Sequence, residues 1–497
     1  MTFSAIDVFR SGWAFVVCVA LCICGCGEHR LFPTGEQDDV AQRAFRVGSE
    51  SPNFFLFSND RGRVTHIGYD RTGDGLMDEK IYVDGIDPRQ APHFVFILDG
   101  YGFECVSEYY KQGGLRLFHP PSLVISPYPA MTDLAMTDLL GSAPCEGFEA
   151  RYFNRRQNRV VGGSWAYMRG GNQLYNEYLD YRAPMLWDAL GYVWPVHFFK
   201  RELERALESI HESSGTQHIS YFVTSAGIST QKGLEGQRES LAWLEQLIHR
   251  LVWESRGMVK ITILADHGHG YVACRRIGLE DFLKQKGWRE TNKLEGPRDV
   301  VYIRFGLETY VALSTHSPGD LSDDLMELEG VDLASYVQGS EVVVLSSPRD
   351  GAGVGRARIQ RRDTRYAYRM DEGDPLALAG ILATLQVDED GFYDADDLLA
   401  ATARHIYPAP LQRVWRAHFA LAKNVPDVIV SLHDEWYSGS DSFGSTVSMA
   451  STHGSLNYSN SATFIMSTIG PLPEVMLSKQ VPVYLEELTG RRFPMKR

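Results

Sequence analysis

The apolar positions of this chain fall into short uninterrupted runs rather than strict alternation. Phe94-Val95-Phe96-Ile97-Leu98 is one such run, and residues 219–223, 261–265, 428–431 and 463–466 are others. A continuous run of this length marks a strand covered on both faces. Between the second and third runs, residues 239–252 set Leu241, Leu244, Ile248 and Leu251 at helical spacing on one face. Strands alternating with amphipathic helices predict an α/β fold, a mainly parallel sheet sandwiched by helices. The pattern changes over residues 300–370, where 300–303, 310–313, 342–345 and 365–368 read as shorter strands with one intervening helix. This predicts an inserted α+β cap over 300–424 within an α/β domain built from 91–299 and 425–497, the chain rejoining the main sheet near Val425.

The N-terminal part follows another logic. Residues 11–25 are uncharged and mostly apolar behind Arg10. The stretch is short for a bilayer span, which needs about 20 residues, and suits the core of a signal peptide. It ends in Ile23-Cys24-Gly25-Cys26, which resembles a bacterial lipobox. The expectation is a lipoprotein-type signal peptide over 1–25, lipidation of Cys26, and an exported protein held at the cell envelope by a lipid anchor, in the periplasm or at the cell surface. Residues 26–65 are polar and irregular and read as a tether or a peripheral layer. Residues 66–90 hold an Asp/Gly-rich cluster in which Asp70, Thr72, Asp74 and Asp78 stand at positions 1, 3, 5 and 9 of a calcium-loop pattern, with Gly75 at position 6. Ile81 replaces the acid of position 12, and an ordinary Asp/Gly turn between strands accounts for the cluster equally well.

Composition narrows the classes. With 497 residues and 44 % hydrophobic positions the chain can bury a large core, and 63 acidic against 49 basic residues give a net charge of −14. That balance argues against nucleic-acid binding, which needs clustered Lys and Arg. Seven cysteines are too few for a disulfide scaffold at this length. Cys18, Cys22 and Cys24 fall in the expected leader. An exported compartment permits a Cys105–Cys145 bridge with Cys274 left over, but spacing does not fix the pairing.

In a parallel α/β sheet, functional side chains gather where strands end. The first buried run ends in Asp99-Gly100, a later one in Asp266-His267-Gly268-His269-Gly270, and Ser451-Thr452-His453-Gly454 precedes the last. Carboxylates with imidazoles suit zinc, and also manganese or iron. A single strand-end Asp or lone His is commonly a turn former or a core residue, so the weight lies in the ordered set.

From about Phe94 to Thr468 that set resembles the alkaline phosphatase superfamily, in its type I phosphodiesterase/nucleotide pyrophosphatase branch. The resemblance implies that Asp99, Asp266, His267 and His453 are metal ligands. It further implies that Thr132, in Tyr128-Pro129-Ala130-Met131-Thr132-Asp133, is both nucleophile and ligand at a helix N-terminus. Thr137 competes in a repeated Met-Thr-Asp tripeptide, but lies a turn deeper. Physical chemistry supports the transfer, because a helix N-terminus offers amides to an anion and a metal activates a bound hydroxyl.

The chain departs from the family where it supplies Asp and His four residues apart: Ala226 and Thr230 stand there. One metal site keeps Asp99, Thr132, Asp266 and His267, and the other keeps His453, with His269 or a cap acid as substitutes. Ala135 replaces an Asn that contacts the transferring phosphoryl group, a type of contact worth about 3 kcal/mol. The expected function is an exported metal-dependent hydrolase of small phosphate esters or diesters with one or two zinc ions. The alternative is a surface lipoprotein that binds metal or a phosphorylated ligand without turnover, and a structural calcium-binding lipoprotein ranks last. Arg155 and Arg156 are candidates for gripping a phosphate or for a solvated basic turn.

Overall fold

The computed structural model describes residues 32–33, 40–41, 43–45, 53–74, 77–348, 353–439 and 451–495. The expected signal peptide, Cys26, half of the tether and Gly75 lie outside the described residues. Among the described residues no helix is long and apolar enough to cross a membrane. The chain divides into two compact units, Met1–Ala91 with Arg116–Phe118 and Ile248–Val259, and the remainder.

The first unit carries an antiparallel sheet in the order Arg43–Phe45, Phe54–Ser58, Val64–Tyr69, Glu79–Tyr82. The residues from Phe54 onward, assigned to a tether from their surroundings, are instead paired strand. Their aromatic side chains explain why: Phe54 is fully buried against Tyr69, His249 and Trp253, and the Tyr69 hydroxyl donates to the Val252 carbonyl at 2.9 Å. The turn after Val64–Tyr69 holds the Asp/Gly cluster. Asp70 Oδ1 accepts from the Gly73 amide at 2.7 Å, and Asp78 Oδ2 accepts from the Arg71 and Thr72 amides at 2.6 and 3.0 Å. Both carboxylates thus serve the turn itself, and the Arg71 amide holds Asp78 below the usual carboxylate range.

The second unit is mixed α/β. Its seven-stranded sheet runs Tyr181–Arg182, Gln217–Phe222, His93–Leu98, Lys260–Ala265, Ala462–Ser467, Ser122–Ile125, Val475–Leu477. Every strand points the same way except Ala462–Ser467, which is antiparallel to both neighbours. Helix Thr132–Leu139 closes one face by placing Met136 and Leu139 on Val95, Ile97, Leu264 and Ile465. Burial of each such side chain contributes about 1.5–3 kcal/mol. On the other residues of these strands, Phe96 meets Phe222 edge-on at 5.7 Å.

A nine-stranded sheet, antiparallel but for its first pair, follows the order Arg289–Glu290, Asp299–Ile303, Tyr310–Thr315, Val428–Leu432, Val331–Gln338, Glu341–Ser346, Gly355–Arg362, Arg365–Glu372, Tyr393–Asp394. The Val428 run, expected in the parallel sheet, sits at the centre of this second one. The reason lies in its burial: Val428, Val430 and Leu432 face one apolar cluster and Ile429 the other. A strand covered on both faces shows the same uninterrupted run whatever the direction of its neighbours.

Candidate metal and nucleophile site

The site begins at two adjacent strand ends. His93–Leu98 and Lys260–Ala265 run parallel with Leu98 opposite Ala265, so Asp99 and Asp266 leave the sheet side by side. Asp266 Oδ1 accepts from the amides of Gly100 and His267, at 3.0 and 2.8 Å. Asp99 Oδ2 accepts from the Tyr221 hydroxyl at 2.6 Å. These bonds turn the second oxygen of each carboxylate toward His267, whose Nε2 lies 3.6 Å from Asp99 Oδ1 and 3.4 Å from Asp266 Oδ2. Thr132 opens helix Thr132–Leu139 and brings its Oγ1 to 3.3 Å from the same nitrogen.

Glycine makes the turn possible. A Cβ on Gly268 would stand 2.3 Å from the Ser459 carbonyl oxygen, and Gly100, at φ +73°, would press one against His269 Nδ1 at 3.2 Å. His267 Nδ1 lies 2.8 Å from the Gly268 carbonyl and donates to it, which fixes the tautomer and leaves a lone pair on Nε2. Burial lowers the His267 pKa to about 4, so the ring is neutral near pH 7, and raises the Asp266 carboxyl to about 7.

Among the described residues, Asp99, Asp266 and His267 are the group whose metal-ligand atoms converge, within 4.8 Å of one another. Their chemistry fits a divalent cation. Tetrahedral zinc with bonds of about 2.0–2.1 Å needs ligand atoms about 3.3 Å apart, near the 3.3–3.6 Å spacings seen here. Two carboxylates, one neutral imidazole and a hydroxyl make up the donor set.

His453 lies beside this group rather than in it. Its ring stacks on His267 at 3.9 Å, its Nδ1 is 2.9 Å from the Ala130 carbonyl, and His269 follows at 5.5 Å from centroid to centroid. Ala226 and Thr230 are buried in the first turns of helix Ser225–Glu254. The Glu202 carboxylate fixes the entry to that helix by accepting from the Val223 and Thr224 amides at 3.1 and 3.0 Å.

Asp99, Thr132 and His453 line a cavity of about 430 Å³ that also holds Glu149, Glu308, Arg182 and aromatic rings including Tyr167 and Phe305. The two glutamates were not legible as site residues, because nothing in their spacing sets them apart. Burial raises the Glu149 carboxyl to about 7 even though the Tyr310 hydroxyl donates to it at 2.6 Å. Burial, then the neighbouring Glu149 charge, holds Glu308 well above the carboxylate range. An acid between Leu307 and the apolar run Tyr310–Leu313 was the one available signal.

Other sequence candidates fall elsewhere. Thr137 donates to the Asp133 carbonyl within its helix at 2.7 Å. Arg155 pairs with Asp427 and donates to the Thr315 carbonyl at 3.2 Å, so it does not serve the cavity. Cys105, Cys145 and Cys274 are free thiols, and Cys145 Sγ sits 3.0 Å from the Thr137 hydroxyl. No protein-family model matches the chain, and no curated protein matches its sequence.

Proposed function

We propose that this protein hydrolyses phosphate esters or diesters with Thr132 as nucleophile, in an alkaline phosphatase-like α/β framework of the phosphodiesterase type. The observation that carries the reading is the convergence of Thr132 Oγ1, Asp99, Asp266 and His267 at one end of the parallel strands. Asp99, Thr132, Asp266 and His267 would hold a divalent cation, zinc by its donor preference, and it would supply Lewis acidity at the reacting centre. Thr132 Oγ1 forms the bond to phosphorus as the bond to the leaving oxygen breaks, and its own proton passes to solvent. Water then cleaves the phosphothreonine in a second displacement. In this reading Glu149, which lines the same cavity and whose carboxyl burial raises to about 7, gives a proton to the leaving oxygen. Tyr221 orients Asp99. Export and lipid anchoring through Cys26 belong to the same proposal and rest on the sequence pattern alone.

A second reading is binding without turnover. It is favoured by Ala226 and Thr230, which offer His453 no carboxylate or imidazole partner, and by Ala135. Metal analysis of the purified protein, together with hydrolysis of a chromogenic phosphomonoester and phosphodiester by wild type and Thr132→Ala, separates the two. Bound metal with turnover that depends on Thr132 supports the hydrolase. Bound metal with no such turnover supports the binding protein.

A further inference from the structure

The cavity that holds Thr132 shares a wall with a second cleft. Ser164 and Phe305 line both, and beyond them lies a space of about 530 Å³ edged by Arg151, Arg159, Lys293 and Arg304, with Asn292 and the backbone at Gly162–Gly163. No acidic side chain lines this cleft. Four cations there stand out in a chain of net charge −14.

The pairing of these cations differs from that of several arginines on and beside the nine-stranded sheet. On the nine-stranded sheet, Arg289 grips Asp299, Arg298 reaches Asp324, Arg358 bonds Asp371 and Glu341, and Arg362 bonds Asp388. Within the cleft only Arg304 is matched in this way, by Glu280 and Glu290 at 3.0 and 2.7 Å. Arg151 donates to the Arg304 carbonyl at 3.1 Å, and Arg159 to the Gln157 side chain at 2.8 Å. Among the described residues no carboxylate comes within ion-pair distance of Arg151, Arg159 or Lys293. Glu280 and Glu290 offset the Arg304 charge, and Glu149 interacts electrostatically with Arg151; the excess positive charge therefore rests on Arg159 and Lys293, and its field attracts an anion into the concavity. Guanidinium groups add the forked donor geometry that phosphate oxygens match.

We infer that this cleft is a second anion subsite, and that the substrate carries a further phosphoryl group, on its non-reacting part, which Arg151, Arg159 and Lys293 hold. This deepens the phosphoester reading above and rests on it for the word substrate; anion binding in the cleft does not. The subsite fixes one end of the molecule by charge while Thr132 meets the other. The reacting group is thereby positioned by contacts remote from the chemistry.

The test uses the full chain stripped of metal with a chelator and titrated calorimetrically with inorganic pyrophosphate. Binding is expected to weaken at least tenfold in the Arg159→Gln/Lys293→Gln double variant and to survive in Arg159→Lys/Lys293→Arg. It is also expected to survive in Asp99→Asn, which disables the metal group, and to fall steeply with salt. Both substituted side chains are exposed, and a thermal melt checks that the fold is kept. A kinetic arm compares KM for a bisphosphorylated ester with that for a chromogenic monophosphate ester, and only the former is expected to rise in the double variant. Absence of turnover would count against the hydrolase while leaving the binding result readable. Pyrophosphate binding that is missing from the wild type, or equal in the double variant, overturns the subsite.

Discussion

Tyr221 sets the orientation of the Asp99 carboxylate. The Tyr221 hydroxyl occupies one carboxylate oxygen and directs the other to His267. Loss of an orienting partner of this kind costs about 10–100-fold in metal affinity. Tyr221→Phe is therefore expected to weaken zinc binding by that factor in a chelator competition while leaving the fold intact. Glu149 makes a prediction with a definite sign in pH. Its carboxyl is raised by burial from 4.5 to about 7, so the folded state holds the proton more tightly than the unfolded one. The associated stability is complete below about pH 4.5 and is lost as pH rises through 7. Glu149→Gln cannot ionise and keeps an acceptor for Tyr310. Relative to wild type, it should gain about 1–3 kcal/mol at pH 8 compared with pH 4.5, read from denaturant titrations at the two values. The same variant should slow hydrolysis of esters with alkyl leaving groups about 100-fold and spare p-nitrophenyl esters, whose leaving oxygen needs no proton. At this scale, strand ends and a glycine turn mark Asp99, Asp266 and His267 in the sequence, the family resemblance singles out Thr132, and the structure brings the four side chains together. Tyr221, Glu149 and Glu308 stayed hidden: Tyr221 and Glu308 sit in ordinary strands, Glu149 in a bend, and only folding brings them to the cavity.

At the scale of elements, the turn after Lys260–Ala265 does the positioning. Gly268 admits no side chain, because a Cβ there would meet the Ser459 carbonyl, which is backbone and has little freedom to move. Gly268→Ala is expected to lower stability by about 1–3 kcal/mol and to lower zinc content with it, since the displaced turn carries His267. Circular dichroism melts and metal analysis read the two effects. Strand identity was legible from uninterrupted apolar runs at Phe94, Ile261 and Thr463. The run at Val428 misled as to its sheet, because apolar side chains report that both faces are covered, not which neighbours cover them. The strands Val331–Gln338 and Gly355–Arg362 escaped notice for the opposite reason, as polar and small residues interrupt them.

For the whole molecule, ligand binding and folding are linked. A cation that binds only the folded chain raises its stability by about 2.7 kcal/mol at one hundred times its dissociation constant. Chelator should therefore lower the melting temperature of wild type, and Asp266→Asn, which weakens the group, should shrink that difference. The change of pattern near residue 300 falls close to where the chain enters the nine-stranded sheet, at Arg289–Glu290. The second sheet is larger than that pattern suggested, and it takes in Val428–Leu432.

The central claim is that Thr132 and the Asp99–Asp266–His267 group form one chemical unit. The most direct measurement is intact-mass analysis of zinc-loaded protein quenched during turnover of a phosphodiester, with Thr132→Ala alongside. A phosphoryl adduct that maps to Thr132, is missing from Thr132→Ala and disappears when the metal is removed is the predicted result. Turnover that continues unchanged in Thr132→Ala would contradict the account.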